Sequence, residues 1–255
     1  MKVFGIEFYH RQRKDLVREL TVLSSRSFRY VVTPNVDHVV MLEHDKELRR
    51  AYSYAAYRLC DSRVLFPLLN RLHADIAEAI PGSTLTRDMI QIAQERGWTV
   101  TVIGCEQEVI TTLQQMHPSI TFRHYNPPMG FIDDAREIQR TVDFINQHPA
   151  RMVVFSVGSP RQEILALRVF EGRAAVGVGL CVGASLLFLS GKVRRAPEWM
   201  QRLSLEWLHR FIHEPRRLGK RYVKDAYRIV PVIIKEIRSD TEKPSNSDND
   251  PRGLS

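Results

Sequence analysis

The sequence predicts an α/β fold, a mostly parallel sheet with helices on both faces, followed by a basic helical appendage at the C-terminal end. Three observations predict it. Short β-branched or apolar runs alternate with longer segments of helical periodicity through most of the chain, the pattern of βαβ units. Most of these runs end at Gly, Pro, Asn or Asp, where a strand of such a sheet turns toward a helix. From Lys192 to Glu236, twelve lysines and arginines stand against five acids, a difference of +7 in a chain whose formal net charge is +8.

Taken in order, Lys2 to Phe8 alternate as a short strand, and the polar run after them, with Leu16, Val17 and Leu20 on one face, reads as a helix. The run RYVVTPN, Arg29 to Asn35, places a β-branched strand ahead of Pro34 and Asn35, with Thr33 and Asn35 at its C-terminal end. Asn35 or Asp37 is placed to cap a helix carrying Val39, Val40, Leu42, Leu48 and Ala51. Tyr57 to Cys60 is a strand that runs into Asp61. A helical segment surrounds Leu65 to Ala79, and Pro81-Gly82-Ser83 breaks it before a helix over Thr84 to Arg96. Beyond Gly97 the alternation is regular. Strands are expected at Trp98 to Ile103, Ile120 to His124, Met152 to Val157 and Ala174 to Val178, with helices at Glu106 to Met116, Asp133 to Gln147 and Gln162 to Phe170 between them. The alternation argues for a mostly parallel sheet with helices on both faces, and in such sheets ligands bind beyond the carboxyl ends of the strands. The rule selects Thr33, Asn35, Asp61, Gly104, Pro128 to Gly130, Gly158 to Glu163 and Gly177 to Gly183 as one rim.

Composition narrows the classes. Cys60, Cys105 and Cys181 are odd in number and far apart, which argues against a disulfide framework or a zinc site and fits a reducing cytosol. The N-terminus, MKVFGIEFYHRQRKD, lacks the apolar core of a signal peptide. The longest apolar run, 176–189, is broken by Gly177, Gly179 and Gly183 and falls short of the roughly 20 residues that span a bilayer. The expectation is a soluble or peripheral protein with an anionic partner: a phosphorylated substrate, nucleic acid or anionic lipid.

Four features carry chemistry. Asp61 lies between Leu59-Cys60 and Val64-Leu65-Phe66 at a strand end, where a carboxylate serves either as a general base or as a helix cap. Gly158-Ser159-Pro160-Arg161-Gln162-Glu163 follows a buried strand and opens a helix. It is either a phosphate-binding turn, with Gln162 reaching a base or sugar, or a tight turn with Pro160 in the first helical turn. Gly177-x-Gly179-x-x-x-Gly183 is looser than the dinucleotide fingerprint and lacks its acid, which excludes a nicotinamide cofactor and leaves close packing or diphosphate approach as the uses of Gly179. Arg194, Arg195, Arg210, Arg216, Arg217 and Arg221 match phosphate oxygens bidentately. They are interleaved with Trp199, Trp207, Phe211, Tyr222 and Tyr227 beside the apolar stretch Val230 to Ile234, a mixture that suits an interfacial helix on an anionic membrane. No nucleic-acid fold signature accompanies the charge, and nucleic acid is set aside as a partner.

These residues also form an ordered set: TPN at Thr33 to Asn35, Asp61 after Leu59-Cys60, PGSTLT at Pro81 to Thr86, VIG at Val102 to Gly104, PPMGF at Pro127 to Phe131, VGSPRQE at Val157 to Glu163, GVG at Gly177 to Gly179, GKVRRAPEWM at Gly191 to Met200 and LEWLHRFIHEPRRLGKRY at Leu205 to Tyr222. The set resembles the WecG/TagA/CpsF glycosyltransferases over about residues 1 to 236, with the SPRQE and RAPEW…EPRR blocks the most specific. The resemblance implies a bacterial enzyme with a Rossmann-like α/β domain, peripheral on the cytoplasmic face of the plasma membrane. It would move a hexose-type sugar, with inversion, from a UDP-sugar to an undecaprenyl-diphosphate-linked saccharide in exopolysaccharide or surface polysaccharide assembly. By position it makes Asp61 the base for the acceptor hydroxyl, lines the sugar pocket with Thr33 and Asn35, and brings Gln162 to donor or acceptor. Gly104, Gly158, Pro160, Glu163 and Gly179 complete that site, and Arg210, Arg217 and Arg221, with Arg194 and Arg195, hold diphosphate or membrane charge. No cofactor or metal is implied, since no DxD motif is present. The chain departs from the family pattern in two places: Ser62 stands where glycine is usual after the Asp, and Ala79 where an arginine is usual before the Pro-Gly turn. Arg63 is then a candidate replacement cation, and N-acetylmannosamine, glucose, glucuronate and other hexoses all stay open as donor sugars.

The expected organisation is an α/β glycosyltransferase domain over 1–200, a membrane-associating helical appendage over 201–238 and a disordered tail over 239–255, with homo-oligomerisation left open. The reading from another class is a non-catalytic, membrane-docked scaffold of a polysaccharide assembly complex, motivated by the same two departures.

Overall fold

The computed structural model describes residues 2–62, 65–193, 197, 200 and 227–238. Arg63, Arg194, Arg195, Arg210, Arg217 and Arg221, most of the expected appendage and the tail lie outside the described residues. At the N-terminus the expected single strand is a hairpin, β1 (Lys2–Val3) and β2 (Ile6–Glu7), because Phe4 and Gly5 both take positive φ and turn the chain back. α1 (Arg13–Leu23) buries Leu16 and Leu20, and β3 (Arg29–Val32) follows. The next helix divides in two. α2 (Val36–Leu42) is capped by Asn35, and Asp45 accepts from the Leu48 N–H to start α3 (Lys46–Tyr54). After β4 (Tyr57–Arg58), α4 (Leu65–Arg71) stops well short of Ala79. His73 and Asp75 take positive φ there, and the Asn70 amide holds Ile76 at both its N–H and its C=O.

The remaining elements are α5 (Gly82–Glu95), β5 (Thr99–Gly104), α6 (Gln107–Met116), β6 (Thr121–Tyr125), a 3-10 turn at Phe131–Asp133, α7 (Ala135–Gln147), β7 (Met152–Ser156), α8 (Arg161–Gly172), β8 (Val178–Cys181) and α9 (Ser185–Leu189). β8 begins where the sequence reading ended its last strand. The shift moves Gly179 from the rim into the middle of a strand and leaves Gly183 at the rim.

Six strands form one parallel sheet in the order β4-β3-β8-β7-β5-β6. Side chains alternate across it: Tyr30, Val32, Val153 and Phe155 enter the core under α2, α3, α7 and α8, whereas Val31, Met152 and Val154 enter the core under α1, α5, α6 and α9. β7 is followed by a helix on the first face and its neighbour β5 by one on the second. The chain thus parts at their carboxyl ends and leaves a crevice there. Residues 227–238 are helical. Ile229, Val232 and Ile233 pack on the first core, Lys235 Nζ lies 3.1 Å from the Glu43 carboxylate, and Tyr227, Val230, Ile234 and Ile237 face outward. Among the described residues no helix is long and apolar enough to cross a membrane.

Candidate active site

Three loops meet at the carboxyl end of β3, β4 and β8. The Asp61 N–H donates to Pro34 O at 3.2 Å and the Ile80 N–H to Cys60 O at 2.8 Å, which draws the loop after β3 and the start of α5 to the end of β4. The Asp61 carboxylate takes the first amide of α5: the Gly82 N–H donates to Oδ1 at 2.6 Å. A helix N-terminus presents unpaired N–H groups and partial positive charge, so a carboxylate there is held in one orientation. Thr33, buried beside it, donates its hydroxyl to Cys181 O at 2.9 Å and keeps lone pairs for a further donor. A Cβ on Gly82 would lie 3.3 Å from Val182 and 3.5 Å from the Thr33 methyl, so Asp61, Thr33, Gly82 and Val182 form one cluster. Asn35 spends Oδ1 on the His38 N–H, and no hydrogen bond among the described residues uses its Nδ2. Ser62 accepts from the Leu65 N–H at 3.2 Å, which caps α4.

The second group is the turn between β7 and α8. Gly158 takes φ +78°, the Ser159–Pro160 bond is cis, and the Gln162 N–H returns to Gly158 O. Gln162 is 2 % exposed and both ends of its amide are engaged: Nε2 donates to Glu163 Oε1 at 2.8 Å, and Oε1 accepts from the Gly183 N–H at 3.0 Å. Glu163 is 0 % exposed, and its second oxygen, Oε2, has no hydrogen-bond partner among the described residues. Burial raises its pKa from 4.5 to about 7. Gln162 and the nearby Ser159 hydroxyl, which stops short of hydrogen-bonding geometry, ease that shift. Glu163, expected from the motif to meet donor or acceptor, lies instead in the core. Burial also pushes up all three thiols, Cys60 to about 12, and the three cysteines are free.

The crevice between β5 and β7 holds what the sequence reading did not single out. Arg161, the first residue of α8, brings Nη2 within 3.2 Å of where a Gly158 Cβ would be, and it forms no ion pair or hydrogen bond among the described residues. Ser156 Oγ and Ser159 Oγ, at the end of β7 and in the turn after it, are buried and without hydrogen-bond partners among those residues. Across the crevice Gly104 takes φ +93°, and a Cβ there would stand 2.9 Å from the Ser156 backbone, so only glycine lets β5 and β7 end this close together. His124 fixes that turn from the edge strand, with Nε2 3.0 Å from Gly104 O and Nδ1 3.0 Å from Gln107 Oε1. The SPRQE motif contained Arg161, but only the fold shows that its guanidinium lies over the turn. Gly179 has another use: a Cβ on it would lie 2.6 Å from the Phe28 ring and 3.0 Å from Phe155. Aromatic rings fill the space above it, and of the two readings of this glycine close packing is the one with room. Among the described residues no group of three His, Cys, Asp or Glu side chains is placed to hold a metal ion.

Comparison with known proteins adds the following. The model of the Glycosyl transferase WecG/TagA/CpsF family matches residues 1–243. An N-acetylglucosaminyldiphosphoundecaprenol N-acetyl-beta-D-mannosaminyltransferase of Staphylococcus aureus strain MW2 is 26% identical over 225 residues, which is 86% of this chain and 86% of that protein. Proteins of the same description from Staphylococcus aureus strains NCTC 8325 / PS 47 and MRSA252 are each 26% identical at the same coverage.

Proposed function

The chain belongs to the Glycosyl transferase WecG/TagA/CpsF family, and on that premise we propose that it moves a hexose-type sugar from a UDP-sugar, with inversion, to a saccharide carried on undecaprenyl diphosphate. The relatives are described as acting on N-acetylglucosaminyldiphosphoundecaprenol, which makes a lipid-diphosphate-linked N-acetylglucosamine the first acceptor to test. One observation carries the reading: the Asp61 carboxylate, at the carboxyl edge of the sheet beside Thr33 and Asn35, is held by the Gly82 amide. In the proposed step Asp61 takes the proton of the acceptor hydroxyl as that oxygen bonds to the anomeric carbon. The bond from that carbon to the diphosphate oxygen breaks on the opposite side, and its electron pair leaves with UDP. Arg161, the β7–α8 turn and the two unpartnered serines would receive the diphosphate, with the arginines of 194–221 adding charge from the C-terminal region. The outward face of helix 227–238, with Tyr227, Val230, Ile234 and Ile237 flanked by Arg228 and Arg238, would rest on an anionic membrane surface.

The test is UDP release from a panel of UDP-hexoses, UDP-N-acetylmannosamine among them, with a lipid-diphosphate-linked N-acetylglucosamine acceptor. Asp61→Asn keeps an oxygen for the Gly82 amide but cannot take the proton, and it is expected to lower turnover by about a hundredfold or more. Full transfer by Asp61→Asn and Asp61→Ala would end the assignment of the base. Vesicle binding without turnover on any donor would favour the scaffold instead.

A further inference from the structure

We propose that Glu163 is a positioning residue: its buried carboxyl orients Gln162, which ties down Gly183 and, through Val182 and Gly82, sets the place of Asp61. The inference rests on the reading of Asp61 as the base. Each link is a hydrogen bond or a packed pair. Gln162 Nε2 donates to Glu163 Oε1 at 2.8 Å, and the Gly183 N–H donates to Gln162 Oε1 at 3.0 Å. The Cys181 thiol lies 3.5 Å from Gln162 O, a second tie between the start of α8 and the end of β8. Val182, between those two anchored residues, packs on Gly82 closely enough that a Cβ there would meet its Cβ and Cγ1 at 3.3 Å. Gly82 in turn donates its N–H to Asp61 Oδ1 at 2.6 Å.

Both side chains are enclosed, Gln162 at 2 % exposure and Glu163 at 0 %. Packing does not explain the carboxyl. A buried polar group is costly unless its hydrogen bonds are made, and Oε2 makes none among the described residues, so an apolar residue of similar volume would serve the core better. What Glu163 does supply is an acceptor that fixes which way the Gln162 amide points. Without it the amide can flip and present a donor, rather than an acceptor, to the Gly183 N–H. A base must be held within a fraction of an ångström of its productive place, so a loosened support appears in turnover more than in substrate binding.

The full-length protein is compared as wild type, Glu163→Ala, Glu163→Gln, Gln162→Ala and the double variant Gln162→Ala/Glu163→Ala, by steady-state kinetics and by residue-resolved amide exchange in NMR. Glu163→Ala is expected to lower kcat about tenfold with the donor KM nearly unchanged, and to speed exchange at Gly183 and Gly82 by a similar factor. Glu163→Gln, which keeps an oxygen acceptor for Gln162, recovers most of both. The double variant is no worse than Gln162→Ala, because the two residues act as one device. Additive losses, a fall confined to donor KM, or unchanged Gly183 and Gly82 exchange in Glu163→Ala would each overturn the proposal. Should Glu163→Ala fail to fold, Gln162→Ala removes the same tie from its other end and must show the same exchange pattern. If the wild type shows no transferase turnover, the proposed function fails, while the exchange data still decide the brace.

Discussion

Glu163→Gln separates a buried charge from the shape that carries it, and its effect on stability against pH follows from the structure. The folded protein holds the Glu163 proton with a pKa of about 7, against 4.5 in the exposed chain, because burial penalises the anion. The groups around it relieve that penalty only in part: Gln162 and Ser159 ease the shift, whereas Tyr30 on β3, Tyr52 on α3 and Cys181 on β8 are held neutral by burial first and by its charge besides. A folded state that binds the proton more tightly than the unfolded one has its full share of stability below pH 4.5 and loses it as pH rises through about 7. At about 1.4 kcal/mol for each tenfold difference in proton affinity, the loss comes to about 3 kcal/mol. Glutamine does not titrate, so it removes this dependence. It also adds a buried amide N–H pair where Oε2 stood unpartnered, a pH-independent penalty of about 1–3 kcal/mol. The informative quantity is therefore the slope and not the offset. In urea titrations followed by tryptophan fluorescence, wild type minus Glu163→Gln should fall by about 3 kcal/mol between about pH 4 and pH 8. Parallel stability curves would refute the reasoning, since they would mean that Glu163 binds its proton no more tightly when folded.

Other perturbations read other parts of the molecule. Gly179→Ala drives a methyl into the Phe28 and Phe155 rings and is expected to cost about 1–3 kcal/mol in denaturant titration, with donor binding intact in the folded fraction. A stable variant that no longer binds UDP would instead make Gly179 a ligand contact. Arg161→Ala is expected to raise the donor KM about tenfold and to leave the thermal midpoint within a few degrees, because Arg161 has no partner among the described residues to lose. Val230→Ser with Ile234→Ser, on the outward face of helix 227–238, should change stability by less than about 1 kcal/mol and weaken binding to anionic vesicles about tenfold, measured by co-sedimentation. Ile229→Ser, on the inward face of the same helix, should do the reverse and lower the thermal midpoint first.

The sheet was legible because its inner strands, β3, β5, β7 and β8, are largely buried and so read as apolar runs, and because strand ends are marked by residues with a turning role, such as Asn35 and Gly104. Elements failed where a local event overrode periodicity. The apolar spacing from Val39 to Ala51 spans the break at Asp45, whose side chain starts a second helix without disturbing that spacing. Val178 to Cys181 was read past because glycine is a poor strand former, and only the Phe28 ring packed over Gly179 shows why a glycine belongs there. At the rim, sequence named the turns and not the directions of side chains within them. Arg161, Gln162 and Glu163 are adjacent in the chain, yet the first lies over the crevice and the other two go to the core, a division fixed by the helical rotation of α8 against the sheet.

That division bears on how Asp61 was read. On sequence, cap and general base were rival uses of one carboxylate, since a short acidic side chain at a strand-to-helix junction suits both. The fold sets a capping contact from a distant helix beside the carboxylate's place at the strand end. Ser62 Oγ takes the Leu65 N–H at the head of the helix that follows. Asp61 Oδ1 is bound by an amide 21 residues further on, at the head of a helix on the opposite face of the sheet. A carboxylate anchored by one oxygen has lost most of its rotational freedom, and what a base needs beyond suitable proton affinity is that its reacting oxygen be held in place before the acceptor arrives. The capping contact is then the means by which this strand end could act as a catalyst, and residues that keep the head of α5 in place, Val182 and Gly183 among them, would support that chemistry.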